Sequence, residues 1–304
     1  MKFDIVSFGS AVMDVFVETD VSEKKGFMNY PVGGKMLIKD LKFDVGGGGT
    51  NTAVAFSRLG LKTGCICEFG KDENGRKILD LLKKEKVKFL GRIVEGELTG
   101  YSVILDSKGG DRTILTYKGA NDEVSLSDIT KFKSKWLYYS SLMEKSFETQ
   151  KKLAEIMKNK RGTKIAYNPS SYQIQNMNLK PLLKITDVLV LNKEEAEMLL
   201  GKNNVKEKDT LKGLNSLTGG IVVITDKDKL ISCYDGNKKY FLVPHKNIKV
   251  VERTGAGDAF ASGFVAGQIV GKSIQESLEL GLKESESVIR YFGAKNNLIR
   301  MKLK

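Results

Sequence analysis

Val250 to Gly267, V-V-E-R-T-G-A-G-D-A-F-A-S-G-F-V-A-G, is the most informative stretch of the chain. Val250 and Val251 close an extended run. Gly255, Ala256 and Gly257 then lead to Asp258, and a helix of mostly small residues follows through Ala259, Phe260, Ala261, Phe264, Val265 and Ile269. Glycine and alanine at a helix entrance leave its first backbone N–H groups bare to a ligand. Those donors and the helix dipole favour an anion by about 0.3–1 kcal/mol on a surface, and by more in a dry site. A carboxylate beside an anion site repels the anion, so Asp258 needs a reason to be there. Taking the proton from a hydroxyl that attacks a phosphoryl group is such a reason, with Gly255, Ala256 and Gly257 holding the charge that builds on that group. A tight turn, with Asp258 capping the first turn of the helix, is the plain alternative.

A second glycine cluster changes the balance. Val45 to Asn51 reads V-G-G-G-G-T-N, and a helical pattern follows at Ala53, Val54, Phe56, Leu59 and Leu61. Two glycine-rich helix entrances, far apart in sequence, predict one cleft with two sets of contacts. Outward from them, strands are expected at Lys2–Phe8, Thr63–Phe69, Trp136–Ser140, Thr163–Tyr167, Asp187–Leu191 and Ile221–Thr225. Helices are expected at Glu73–Lys84, Glu148–Lys158, Lys193–Leu200, Lys206–Leu217, Gly257–Val270 and Ile274–Tyr291. This alternation predicts a three-layer, doubly wound α/β fold with a mostly parallel central sheet. Exposed strands at Val15–Glu18 and Lys35–Val45, and a hairpin from Gly100–Asp106 to Asp111–Tyr117 through Ser107-Lys108-Gly109-Gly110, do not fit that rhythm. They predict a small β-sheet lid, from about 15–45 and 98–121, inserted into a single domain of 1–304. A second hairpin, Leu230–Tyr234 to Lys239–Val243, turns at Asp235-Gly236-Asn237.

Bulk composition excludes several classes. The 304 residues are 41% hydrophobic and 29% charged, ordinary for a globular protein. No apolar run approaches the ~20 residues that span a bilayer, and Asp4 and Gly9 interrupt the start in a way no signal peptide does, so no membrane partner and a cytoplasmic location are expected. The formal net charge of +13 raises nucleic acid as a partner, but the basic residues are scattered among acids along the chain, which reads as solvated faces. Cys65 and Cys67 flank one residue, too close for zinc or redox spacing, and Cys233 stands alone; all three read as reduced packing residues. His245 is the only histidine and reads as a surface residue. Gly271-Lys272-Ser273 has the core of a Walker A loop without its upstream glycine, since Ala266 stands there.

The two glycine stretches carry a family resemblance. G-G-G-G-T-N-T-A-V-A-F-S-R-L-G resembles the first signature of the ribokinase-like family of carbohydrate and nucleoside kinases, and R-T-G-A-G-D-A-F-A-S-G-F resembles the second. Both fall at the family's usual places, so the likeness spans essentially the whole chain. It implies an ATP-dependent kinase that phosphorylates a hydroxymethyl group on a small sugar or a nucleoside, with magnesium. It implies that Asp258 is the base, and that Gly255, Ala256 and Gly257 form the anion hole with Thr254 beside it. Asp14 and Asn51 would bind acceptor hydroxyls, with Gly47 and Gly48 letting the backbone approach. Thr99-Gly100-Tyr101 and Gly119-Ala120-Asn121 resemble family segments at the lid, with Tyr101 either covering the substrate or packing in the lid, and Asn121 near the substrate.

Asn192 and Glu195, in L-N-K-E-E-A-E, are explained as a helix cap with an acidic first turn. The likeness adds a role near magnesium and the phosphates, with Asn192 on the nucleotide and Glu195 acting on the metal through water. Thr225, Lys227, Gly293 and Asn297 match nucleotide-contacting places, with Lys227 standing where the family has glycine. Glu252-Arg253 replaces the usual Asp-Thr, so Glu252 is the candidate for a monovalent cation such as K⁺. Ribokinase proper has an asparagine at Val12, a lysine at Gly48 and a glutamate near Ser141, so ribose contacts differ here. The edges of an exposed lid would suit a homodimer. A non-catalytic ligand- or nucleic-acid-binding protein of the same fold is the reading from another class.

Overall fold

The computed structural model describes residues 1–108, 112–201, 207–246 and 248–303. Gly109, Gly110 and Asp111 of the expected hairpin, and Lys206 at the start of one expected helix, lie outside the described residues.

The strands that place the site are β1 (Lys2–Phe8), β2 (Val12–Glu18), β3 (Asp40–Gly46), β4 (Thr63–Ile66), β5 (Lys88–Phe89), β6 (Gly100–Asp106), β7 (Arg112–Tyr117), β8 (Lys133–Ser140), β9 (Lys164–Asn168), β10 (Val188–Asn192), β11 (Ile221–Asp226), β12 (Leu230–Tyr234) and β13 (Lys239–Leu242). The helices are α1 (Gly48–Arg58), α2 (Glu73–Lys84), α3 (Glu144–Arg161), α4 (Lys193–Leu200), α5 (Glu207–Thr218), α6 (Ala256–Ile269) and α7 (Ile274–Val288). Nine strands form the large sheet in the order β13-β12-β11-β10-β9-β8-β1-β4-β5. Pairing is parallel from β11 to β5, and antiparallel only in the terminal β11-β12-β13 meander.

Both faces of this sheet are covered, as its near-continuous apolar strands require. Phe8, Tyr139, Tyr167, Leu189 and Leu191 pack on one side with Phe147 and Leu153 of α3. Ile5, Tyr138, Ala166 and Val190 pack on the other with Phe56 of α1, Phe260 and Phe264 of α6, and Leu278 of α7. Each such side chain, fully buried, contributes about 1.5–3 kcal/mol of transfer free energy. The helix ends agree with local sequence. Asp72 caps α2, and Asn192 with Glu195, and Ser273 with Glu276, form capping boxes at α4 and α7. Gly271-Lys272-Ser273 is therefore a helix start and not a phosphate loop.

A separate four-stranded sheet has the order β7-β6-β2-β3. Strand β2 is not the exposed strand the sequence suggests. It is buried up to Val17, because Met13, Val15 and Val17 pack on Ile78 and Leu82 of α2. Alternation sends Asp14 and Phe16 to the opposite face, with Ser102 of β6 and Asp44 of β3 directly across from Asp14. Among the described residues no helix is long and apolar enough to cross a membrane. The three cysteines are buried and unpaired by disulfides. His245 is largely exposed and sets Nδ1 2.9 Å from a carboxylate oxygen of Glu286.

Candidate active site

Parallel strands place their C-terminal ends on one edge of the sheet, and α1 and α6 both start there. Both begin on a glycine with no side-chain cap: Gly47 has φ 96° and Gly255 has φ 79°. These left-handed conformations favour glycine. At Gly255 a Cβ would also stand 2.5 Å from Cβ of Ala294. Asn51 of α1 donates from Nδ2 to Oδ2 of Asp258 on α6 at 2.8 Å, across 207 residues of sequence. A Cβ on Gly48 would lie 3.6 Å from Asp258 Oδ1. The two glycine-bared entrances therefore open onto one cleft, and Asp258 stands between them.

Burial raises the Asp258 carboxyl above its ordinary range, while the Asn51 hydrogen bond and the charge of Lys295 pull it back. Asp14 is buried and is raised to about 6, mainly by desolvation, with Lys295 and a hydrogen bond from Ser102 opposing. Gly257 is open on its Cβ side, with no atom within 4 Å, and its N–H belongs to the first turn of α6, where no intrahelical acceptor exists. Ala256 departs from its expected place among the phosphoryl donors. Its N–H is turned to the Arg253 carbonyl at 3.2 Å.

Along the strand ends, Asn192 and Thr225 are register partners at the tips of β10 and β11. Asn192 and Glu195 complete the capping box in both directions, Asn192 N–H to Glu195 Oε2 at 3.0 Å and Glu195 N–H to Asn192 Oδ1 at 2.8 Å. The Glu195 carboxyl is raised by burial, and the charge of Asp258 adds to the shift. A carboxylate at this strand end suits a hydrated divalent cation held through water.

Several expected contacts fall elsewhere. Tyr101 lies on the face of the small sheet opposite Asp14, packed against the Met13–Val17 and α2 cluster, so it covers no substrate. Asn121 is buried and spends its amide on Ala11 N–H, Ala11 O and Lys118 O, bracing the chain between β1 and β2. Asn297 binds Ser287 through Nδ2, at 3.0 Å to O and 2.9 Å to Oγ. Lys227 reaches Glu194 at 3.5 Å on the surface. Gly293 sits against the small sheet, where a Cβ would meet Asp44 Oδ2 at 2.2 Å. Glu252 Oε1 accepts from the Arg112 guanidinium of β7, from Thr254 Oγ1 at 2.9 Å and from two backbone N–H groups. Burial alone would raise Glu252; the Thr254 hydrogen bonds and Arg112 hold it below the ordinary carboxylate range.

Two charged residues beside this site escaped the sequence. Lys295 is buried, and its Nζ donates to Asn51 Oδ1 at 2.5 Å and to the Val45 carbonyl. Asp44 pairs with Asp14 across β2 and β3. Its position just before the glycine run was the one available hint.

A family model for pfkB family carbohydrate kinases matches residues 2–300. The chain belongs to that family. It is a sugar or nucleoside kinase of ribokinase-like fold, of a kind that uses ATP, with magnesium as is general for kinases. A protein from Archaeoglobus fulgidus described as an uncharacterized sugar kinase is 29% identical over 260 residues, 81% of this chain and 99% of its own. A cytidine kinase from Thermococcus kodakarensis is 34% identical over 150 residues, covering 48% of this chain and 53% of its own. The solved ribokinase of Giardia lamblia superposes with a TM-score of 0.83 at 18% identity, over 96% of this chain and 95% of its own, and shares the fold.

Proposed function

We propose that the cleft transfers the terminal phosphoryl group of ATP to a hydroxymethyl group of a small, uncharged sugar, with Asp258 as the base. The observation that carries this reading is the 2.8 Å hydrogen bond from Asn51 to Asp258, which joins two ligand-ready helix entrances at one carboxylate. Asp258 Oδ1 takes the proton of the attacking hydroxyl. The N–H groups at Gly255 and Gly257, with the α6 dipole, face the charge spread over the phosphoryl oxygens. Asn192 and Thr225 line the nucleotide side. Glu195 would hold magnesium through its water shell, and the metal would supply charge neutralisation on the phosphates. Asp14 and Asn51 bind acceptor hydroxyls, and the small sheet closes over them as a lid to exclude water.

The charge of the acceptor side narrows the substrate class. Asp14, Asp44 and Asp258 surround one lysine, so the region is net acidic, which disfavours sugar phosphates and sugar acids. Glu252 fits a monovalent cation poorly, because the Arg112 guanidinium already neutralises its Oε1. A nucleoside acceptor is the second reading. Phe16, beside Asp14 on the same strand face, packs edge-on against Phe292 at 4.5 Å, an aromatic pair near the acceptor side; the cytidine kinase likeness favours this reading. An acceptor panel (ribose, fructose, ketodeoxygluconate, adenosine, inosine, cytidine) assayed for ADP release separates the two. ADP release on ketodeoxygluconate alone would overturn the uncharged-acceptor reading.

A further inference from the structure

Phosphoryl transfer does not by itself require Lys295. Its side chain enters from the loop after α7 and is almost wholly buried. Its backbone carbonyl is held by the Arg58 guanidinium at 2.5 Å, and Arg58 is itself bound to buried Glu85, so the loop is anchored from below. The ammonium can only donate. It donates to Asn51 Oδ1 and to the carbonyl of Val45, the last residue but one of β3. Because Asn51 must present oxygen to a lysine, it must present Nδ2 to its other neighbour, and that neighbour is Asp258. A terminal amide has two orientations of nearly equal shape; here the buried cation removes the choice.

We propose that Lys295 is a positioning residue of the transfer site: its buried ammonium fixes the Asn51 amide toward Asp258. This rests on the reading of Asp258 as the base. The charged groups that meet at Lys295 are Asp44, Asp14 and Asp258, with Arg58 opposing. Asp258 in turn faces Asn51 and Lys295, and its charge reaches Glu195, Tyr138 and Asp14. Asp14 faces Lys295, Ser102, Asp44 and Asp258. Among these groups Lys295 is the cation that lowers both Asp14 and Asp258. Burial works against the lysine's own charge, and the three aspartates work for it. The charges of the base and of the lysine thus support each other.

The test reads the carboxyls directly. Aspartates labelled with ¹³C at the carboxyl are titrated by NMR in the wild type, Lys295→Met and Lys295→Arg, with Asp14→Asn and Asp258→Asn for assignment. Losing a close opposite charge should raise both Asp14 and Asp258 by about one unit or more in Lys295→Met, and the acid limb of ADP formation should move with them. Lys295→Arg should keep the wild-type titration. Should Lys295→Met not fold, Asn51→Leu cuts the relay with the lysine in place, and should raise Asp258 while Asp14 stays within a few tenths of a unit. Unchanged titration of both aspartates in Lys295→Met, with only the melting temperature lowered, overturns the proposal, as does Asn51→Leu leaving Asp258 unmoved. Retained activity in Asp258→Asn would instead overturn the base assignment, and leaves the titration result standing by itself.

Discussion

The two edges of the large sheet carry charge in opposite ways. At the C-terminal edge the site's own charges are tied together: Asn51 donates to half-buried Asp258 and accepts from buried Lys295, with buried Asp14 near them. At the N-terminal edge, Lys2, Lys133, Lys135, Lys160, Arg161 and Lys164 gather in an open cleft of about 580 Å³ around Trp136. The sequence reads these lysines as scattered; the parallel strand register and the end of α3 bring them together. Yet they interlock little. Lys135 meets Asp4 at 2.9 Å, and Lys164 lies over the Trp136 ring at 5.3 Å. Charges in water can be added or removed at little cost, whereas a buried charge without its partner is expensive. The site should therefore tolerate almost nothing, and the opposite edge almost anything.

The strongest challenge to this contrast is Asp258→Asn, which should lower kcat by about 10²–10⁴-fold with the fold retained, measured as ADP release against a circular dichroism control. In the wild type, activity should fall as pH drops through about 6, where Asp14 takes up a proton and loses its charge. A profile flat down to pH 4.5 would contradict this. Next comes Glu85→Ala. Glu85 is buried under Arg58 and Arg300, which hold its carboxyl down against burial. Removing one partner of such a cluster costs about 3–5 kcal/mol, read from urea denaturation. Because the folded carboxyl is depressed, that stability is present at neutral pH and is lost as pH falls below the ordinary carboxylate range.

Gly255→Ala should cost about 1–3 kcal/mol of stability through its positive φ, and should depress kcat as the new methyl pushes Ala294 away. The smallest effect belongs to the far edge. Lys133→Gln with Lys164→Gln should change stability by about 0.5 kcal/mol or less each and leave kcat unaltered. A large loss there would abolish the contrast between the edges.

Local patterns in the chain foretell the alternating strands and helices and the two glycine entrances, because each is written in a few adjacent residues. Gly255 and Gly47 are visible as residues that conformation demands. The failures are long-range. Tyr101 reads equally as a substrate cover or as a lid-packing aromatic, and only strand alternation, seen once β6 is paired with β2, turns it to the packed face. Asn121 and Asn297 are the right residue type for a ligand, and both are consumed by nearby backbone. Lys295 looks like any other lysine until the fold carries it about 250 residues back to Val45 and Asn51. Nothing local distinguishes a cation destined for the interior.

The Arg112 contact has one more outcome. It ties the small sheet to Glu252 and to Thr254 Oγ1 at 2.6 Å, with the arginine side chain 30% exposed. Attraction across such a point is weakened by dissolved ions, over a screening distance of about 10 Å at 0.1 M and about 3 Å at 1 M. Dissolved salt should therefore loosen the tie between the small sheet and the Glu252–Thr254 turn.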